Sequence, residues 1–115
     1  MGNNHFTVLV PSYNVEKWAP KSVLSVLNQN YDNFDLFYID DCSTDKTVDV
    51  IQDLIVDSAC NITFEKNSFN RGKMHNVHDA VHSMKDGTIV VILDGDEWLA
   101  NENVLNYLND VYDSG

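Results

Sequence analysis

Asp40-Asp41 and Asp94-Gly95-Asp96-Glu97 are the residues of this chain best suited to chemistry, because each cluster follows directly on a short apolar run. Carboxylates crowded at the ends of neighbouring strands repel one another unless a cation or hydrogen-bond donors compensate. The simplest compensation for the two aspartate pairs and Glu97 is a hard divalent cation with oxygen ligands, Mn2+ or Mg2+. Solvated loop acids that cap helices are the other reading open to an acidic chain. Gly95, between the two aspartates, leaves the backbone free to approach a ligand. A third polar segment, Pro11-Ser12-Tyr13-Asn14, ends the first apolar run. Between Lys66 and Lys73 lie three of the seven basic residues, Lys66, Arg71 and Lys73, with Gly72 just ahead of a helix. Arginine and a helix N-terminus both favour phosphate oxygens, so this stretch reads as the grip on a diphosphate or as a solvated basic loop.

The elements that would position these residues alternate along the chain. Phe6–Val10, Phe34–Ile39, Ile62–Phe64 and Thr88–Leu93 have the short apolar or β-branched character of strands. Helical periodicity falls between them. One helix is expected over about Lys17–Asn28, with Pro20 in its first turn, and a second after a Ser43 or Asp45 cap, with Val48, Ile51 and Ile55 on one face. A third carries a stripe of Met74, Val77, Val81 and Met84 that reads as core, and a fourth covers about Asn103–Tyr112. The order β-α-β-α-β-α-β-α predicts an α/β fold, a doubly wound and mostly parallel sheet with helices on both faces. Ligands of such sheets bind beyond the carboxyl ends of the strands, where the polar clusters fall. No linker or repeat divides the chain, so residues 1–115 read as one domain.

Composition narrows the function further. Eighteen acidic against seven basic side chains leave a net charge of −11, which disfavours nucleic acid and anionic membrane as partners. The longest apolar run, Ile89–Leu93, is far short of the roughly 20 residues that span a bilayer, so no membrane insertion is expected. Met1 to His5 lacks the character of a signal peptide, and Gly2 is not followed by a myristoylation pattern. These features predict a cytoplasmic protein in which Cys42 and Cys60 stay reduced.

Taken in order, Val8-Leu9-Val10-Pro11-Ser12-Tyr13-Asn14, Ile39-Asp40-Asp41-Cys42-Ser43-Thr44-Asp45 and Ile92-Leu93-Asp94-Gly95-Asp96-Glu97 resemble the family 2 glycosyltransferases of GT-A fold. The resemblance implies a Rossmann-like nucleotide-sugar-binding half. In it Pro11, Ser12, Tyr13 and Asn14 line the nucleoside pocket, beside the Asp40-Asp41 pair, and Asp41 contacts the base. It implies that Arg71 lies near the nucleotide, and that Asp94, Gly95 and Asp96 form a DXD motif binding the metal and the sugar diphosphate. Glu97 stands where the family has Asp. The implied reaction is metal-dependent transfer of a sugar from a nucleoside-diphosphate sugar to an acceptor hydroxyl. The family continues into an acceptor-binding half that supplies the general base. This chain is therefore expected to be a donor-binding domain truncated before that half, inactive alone, and prone to self-association through the face left open. The alternative is a non-catalytic nucleotide-sugar-binding or interaction module derived from such an enzyme.

Other features are secondary. His75, His78 and His82 share one helix face, suited to a transition metal, to phosphate contact, or simply to solvent. Trp98 and Tyr13 would stack on sugar and base or pack in the core. A haloacid-dehalogenase-like phosphatase is disfavoured because the Asp-x-Asp pair comes late in the chain, and a receiver-like domain because no Lys follows Lys85.

Overall fold

Val8, Leu9 and Val10 are fully buried because their strand is covered on both faces. The computed structural model describes residues 4–114; the expectations concerning Met1 and Gly2 lie outside the described residues. Four strands, β1 (Phe6–Ser12), β2 (Phe34–Asp40), β3 (Asn61–Lys66) and β4 (Ile89–Ile92), alternate with four helices. These are α1 (Ala19–Leu27), α2 (Thr47–Ile55), α3 (Lys73–His82) and α4 (Val104–Ser114). All strand pairs are parallel, in the order β3-β2-β1-β4. The predicted doubly wound α/β fold is the one observed.

Strand alternation divides the core in two. Phe6, Val8, Val10, Leu36 and Tyr38 point to one face and meet Val23 and Val26 of α1, Ile51 of α2 and Leu105 of α4. Leu9 and Ile39 point to the other face, where Ala80, Val77 and Met84 of the α3 segment cover them. Complete burial of a side chain such as Ile51 contributes on the order of 1.5–3 kcal/mol. Polar ties lock α4 to α1: Leu105 N donates to Gln29 Oε1 (3.0 Å) and Gln29 Nε2 to the Asn101 carbonyl (2.6 Å).

Three details depart from expectation. β3 is longer than Ile62–Phe64, because pairing from Asp35↔Asn61 to Asp40↔Lys66 supplies backbone bonds to polar residues as well. α1 begins at Ala19 rather than near Lys17, with Pro20 in its first turn as expected. Only half of the methionine stripe of α3 faces the core: Val77 and Met84 pack against Leu9 and Ile39, whereas Met74 is 87% exposed and Val81 is also exposed. The buried positions of α3 are Asn76 and Ala80, one turn apart, so the helix turns a polar amide toward the sheet end.

Candidate functional site

The winding reverses beside β1. From β1 the chain moves outward to β2 and β3, then crosses back to place β4 on the other side of β1. The carboxyl ends of β1 and β4 therefore form the crevice in which open α/β sheets bind ligands. Backbone bonds carry this pairing past the strands. Leu93 N donates to the Leu9 carbonyl (2.9 Å), Gly95 N to the Pro11 carbonyl (3.1 Å), and Asp41 N to the Ser12 carbonyl (2.9 Å). Gly95 is required for close packing of protein on protein: a Cβ there would lie 2.6 Å from Ser12 Cβ. The close approach expected toward a ligand is thus made to β1.

A cavity of about 200 Å³ opens at this crevice. Pro11, Ser12, Tyr13, Asp41, Asp94 and Asp96 line it, together with Gly95, Val15, Lys73 and Asn76. Three separate polar segments of the sequence thus share one wall.

Asp41 is buried, only 5% exposed, and its carboxylate is held by the loop that leads into α3. Arg71 N (2.8 Å) and Asn67 Nδ2 (3.0 Å) donate to Oδ1, and Gly72 N (2.9 Å) donates to Oδ2. Burial pushes this carboxyl upward, but the donors at Arg71, Asn67 and Gly72 and the nearby Asn76 amide outweigh it and hold it at about 2. Asp41 is therefore a fixed, ionised acceptor at the cavity wall, suited to reading an N–H edge.

Asp94 and Asp96 flank Gly95 in the same lining. Lys73, the first residue of α3, places Nζ 2.5 Å from Asp94 Oδ1. The Asp94 contact raises the lysine above its ordinary range against the effect of burial, and the charges of Asp94, Glu97 and Asp96 add to the rise. The ammonium stands in for the cation that this acidic wall requires. Among the described residues, no three His, Cys, Asp or Glu side chains converge as a metal-binding group. The donor chemistry fits a hard divalent ion nonetheless, with Asp94 and Asp96 as the side chains that would hold it.

Other candidates lie elsewhere. Asp40 is fully buried and turned from the cavity; it accepts from Ser43 N (2.9 Å) and Ser43 Oγ (2.5 Å), bracing a turn in which Cys42 has φ 63°. Asn14, at φ 50°, accepts from Thr44 N (2.7 Å) and shapes the loop before α2. Arg71 contributes its backbone N–H to Asp41, but its guanidinium reaches Asp79 (3.2 Å) and His75, away from the cavity lining. Glu97 folds back so that Oε1 accepts from Asp94 N (3.1 Å), tightening the acidic turn. His75, His78 and His82 are exposed, and the rings of His78 and His82 stack 4.1 Å apart. Trp98 is half exposed and stacks on Trp18, outside the cavity lining. Lys73 was named from the sequence only within the basic stretch expected to grip a diphosphate, and Asn67 was not singled out; its signal was position alone, in the loop that follows β3.

A parallel sheet of this order, with acids at its reversal point, is the architecture of the GT-A class of glycosyltransferases. The profile of Glycosyl transferase family 2 matches residues 7–114, and the chain belongs to that family. It is 31% identical over 104 residues to an uncharacterized glycosyltransferase of Haemophilus influenzae, covering 90% of this chain and 40% of that protein. Among solved structures, the 1–349 segment of Staphylococcus aureus TarS in complex with UDP-GlcNAc superposes with a TM-score of 0.80 at 28% identity. That match covers 96% of this chain and 31% of the TarS chain. The mannosyltransferase PcManGT of Pyrobaculum calidifontis, in complex with GDP-Man and Mn2+, also gives 0.80, at 27% identity, covering 93% of this chain and 31% of its own. The chain thus spans two fifths or less of the length of these relatives.

Proposed function

We propose that this chain is the donor-binding domain of a glycosyltransferase that moves a sugar from a nucleoside-diphosphate sugar to an acceptor hydroxyl. The observation that carries this reading is the meeting of ionised Asp41 with Asp94 and Asp96 around one cavity at the reversal point of the sheet. UDP-GlcNAc and GDP-Man, bound by the two solved relatives, belong to that donor class.

In this reading the β1 end, Pro11 to Tyr13, forms the floor under the nucleoside, and Asp41 accepts from an N–H of the base. Its donors keep it ionised, so it rejects a base edge that offers only acceptors. Asp94 and Asp96 would hold Mn2+ or Mg2+ on the diphosphate side of the cavity. That ion, when bound, supplies Lewis-acid stabilisation of the negative charge on the departing nucleoside diphosphate. The acceptor oxygen attacks the anomeric carbon as the bond to the diphosphate breaks, and its proton passes to a general base. We assign that base to a part of the enzyme other than this cavity, because the donors on Asp41 hold its carboxyl at about 2, too acidic to take a hydroxyl proton, and Asp94 is paired with Lys73.

Calorimetric titration with UDP- and GDP-sugars, with and without Mn2+, tests the proposal. Metal-dependent binding that is lost in Asp96→Ala is the expected outcome. Absence of binding to any nucleotide at about millimolar concentration, where interaction energies fall to roughly 4 kcal/mol, would overturn it.

A further inference from the structure

We propose that Lys73 is a built-in counter-cation: it occupies Asp94 while the site is empty, yields it to a divalent ion, and passes to the donor's diphosphate. Ion and diphosphate then bind cooperatively. This inference rests on the donor-site reading given above and adds a residue and a coupling to it.

Three observations support it independently of one another. The first is the direct contact of Lys73 Nζ with Asp94 Oδ1 at 2.5 Å, on the carboxylate that a divalent ion would need. An ammonium and a divalent ion cannot share one carboxylate oxygen at close range without strong mutual repulsion. The second is mobility of the right kind. The Lys73 side chain is 56% exposed and springs from the first turn of α3, so its four-carbon stem can swing without disturbing the core. The third is a waiting partner for an anion. Asn76 lies one turn further along α3, is 4% exposed and lines the same cavity. Its Oδ1 accepts from Asn67 Nδ2 (2.8 Å), whereas its Nδ2, near enough to the Asp41 carboxylate to help keep it ionised, completes no well-formed hydrogen bond among the described residues. A buried amide donor left in this state is costly unless a ligand oxygen completes it. Lys73, Asn76 and the first turn of α3 together form a donor set for a phosphate group, and a freed lysine has it within reach.

The consequence is a defined order of preference. The lysine lowers the affinity of the empty site for a metal ion alone, and the same lysine raises affinity for the diphosphate once the ion has displaced it. By linkage, each ligand then raises affinity for the other by the same factor, on the order of tenfold.

The test uses the 115-residue chain, with Mn2+ binding followed by electron paramagnetic resonance and UDP or GDP binding by calorimetry. In the natural chain, Mn2+ alone should bind weakly and tighten about tenfold with diphosphate present. Lys73→Gln should bind Mn2+ alone several-fold more tightly, bind the diphosphate less tightly in saturating Mn2+, and lose most of the coupling. Lys73→Arg keeps the charge and should retain part of it, and circular dichroism of both variants confirms that α3 is intact. Unchanged Mn2+ affinity and unchanged coupling in Lys73→Gln would overturn the inference while leaving the donor-site reading standing. A uniform loss of both ligands would also overturn it, by making Lys73 a plain anchor. Failure of the natural chain to bind either nucleotide, with or without Mn2+, would instead remove the donor-site reading and this inference with it.

Discussion

Asp41 shows how much one side chain depends on its neighbours. Two adjacent acids end β2, yet strand alternation and the turn after them give opposite fates: Asp40 is spent on Ser43, and Asp41 looks into the cavity. Its folded carboxyl lies near 2 against an ordinary 3.8, so its ionised form stabilises the fold. The sign follows directly: this stabilisation is fully present above 3.8 and is lost as pH falls through about 2. Asp41→Asn turns an NH2 group toward donors and should cost about 1–3 kcal/mol near neutral pH, with the deficit shrinking as acid is added. Urea unfolding followed by tryptophan fluorescence across that range measures both effects. A constant deficit down to about pH 2 would show that the hydrogen bonds, rather than the charge, are responsible. Asp41 was legible from the motif that contains it. Lys73 was visible only as part of a basic stretch, because nothing in residue type says which acid a flexible lysine will meet.

At the scale of elements, periodicity was a good guide to existence and order and a poorer one to faces. Every strand and helix expected from the apolar pattern is present, because alternating burial is written directly into residue types. α3 was half misjudged: Val77 and Met84 pack on the sheet as expected, but Asn76 turns inward onto Asn67 and Met74 stays in solvent, because a contact with a distant loop is not written in the helical period. The entry to α2 differs from the expected Ser43 or Asp45 cap: the N-cap position is Lys46, without a side-chain cap bond, and Asp45 just before it holds the turn. Asp45 Oδ1 accepts from Thr47 N (2.9 Å) and Thr47 Oγ1 (2.6 Å), and its Oδ2 accepts from Glu16 N (3.2 Å). One carboxylate therefore fastens the start of α2 to the loop that follows β1. Asp45→Ala should lower stability by about 1 kcal/mol, as loss of a helix cap does, and Asp45→Asn by less. Thermal denaturation of the two variants decides whether the side chain acts as a cap or only sits near one.

For the whole molecule, the central matter is what these 115 residues do by themselves, since they span two fifths or less of the relatives' length. The cavity is formed by the end of β1, the residues just after β2 and β4, and the first turn of α3, so donor binding is expected of these residues by themselves. We expect the chain alone to bind nucleoside-diphosphate sugars in the presence of Mn2+ and to show no acceptor-dependent release of nucleoside diphosphate in a coupled assay. Release that rises with an added sugar acceptor would place the general base inside these residues. Among the described residues no helix is long and apolar enough to cross a membrane. The apolar runs, their spacing and three polar segments determined by themselves that the chain is a doubly wound α/β domain with acids at its strand ends, because burial and backbone pairing act locally and leave a period in the residues. Only the tertiary structure decided which acids face one another, that Gly95 yields its space to Ser12, and that Lys73 rests on Asp94. Those outcomes depend on contacts between segments far apart in the chain, where electrostatics and packing are settled by geometry that no local pattern encodes.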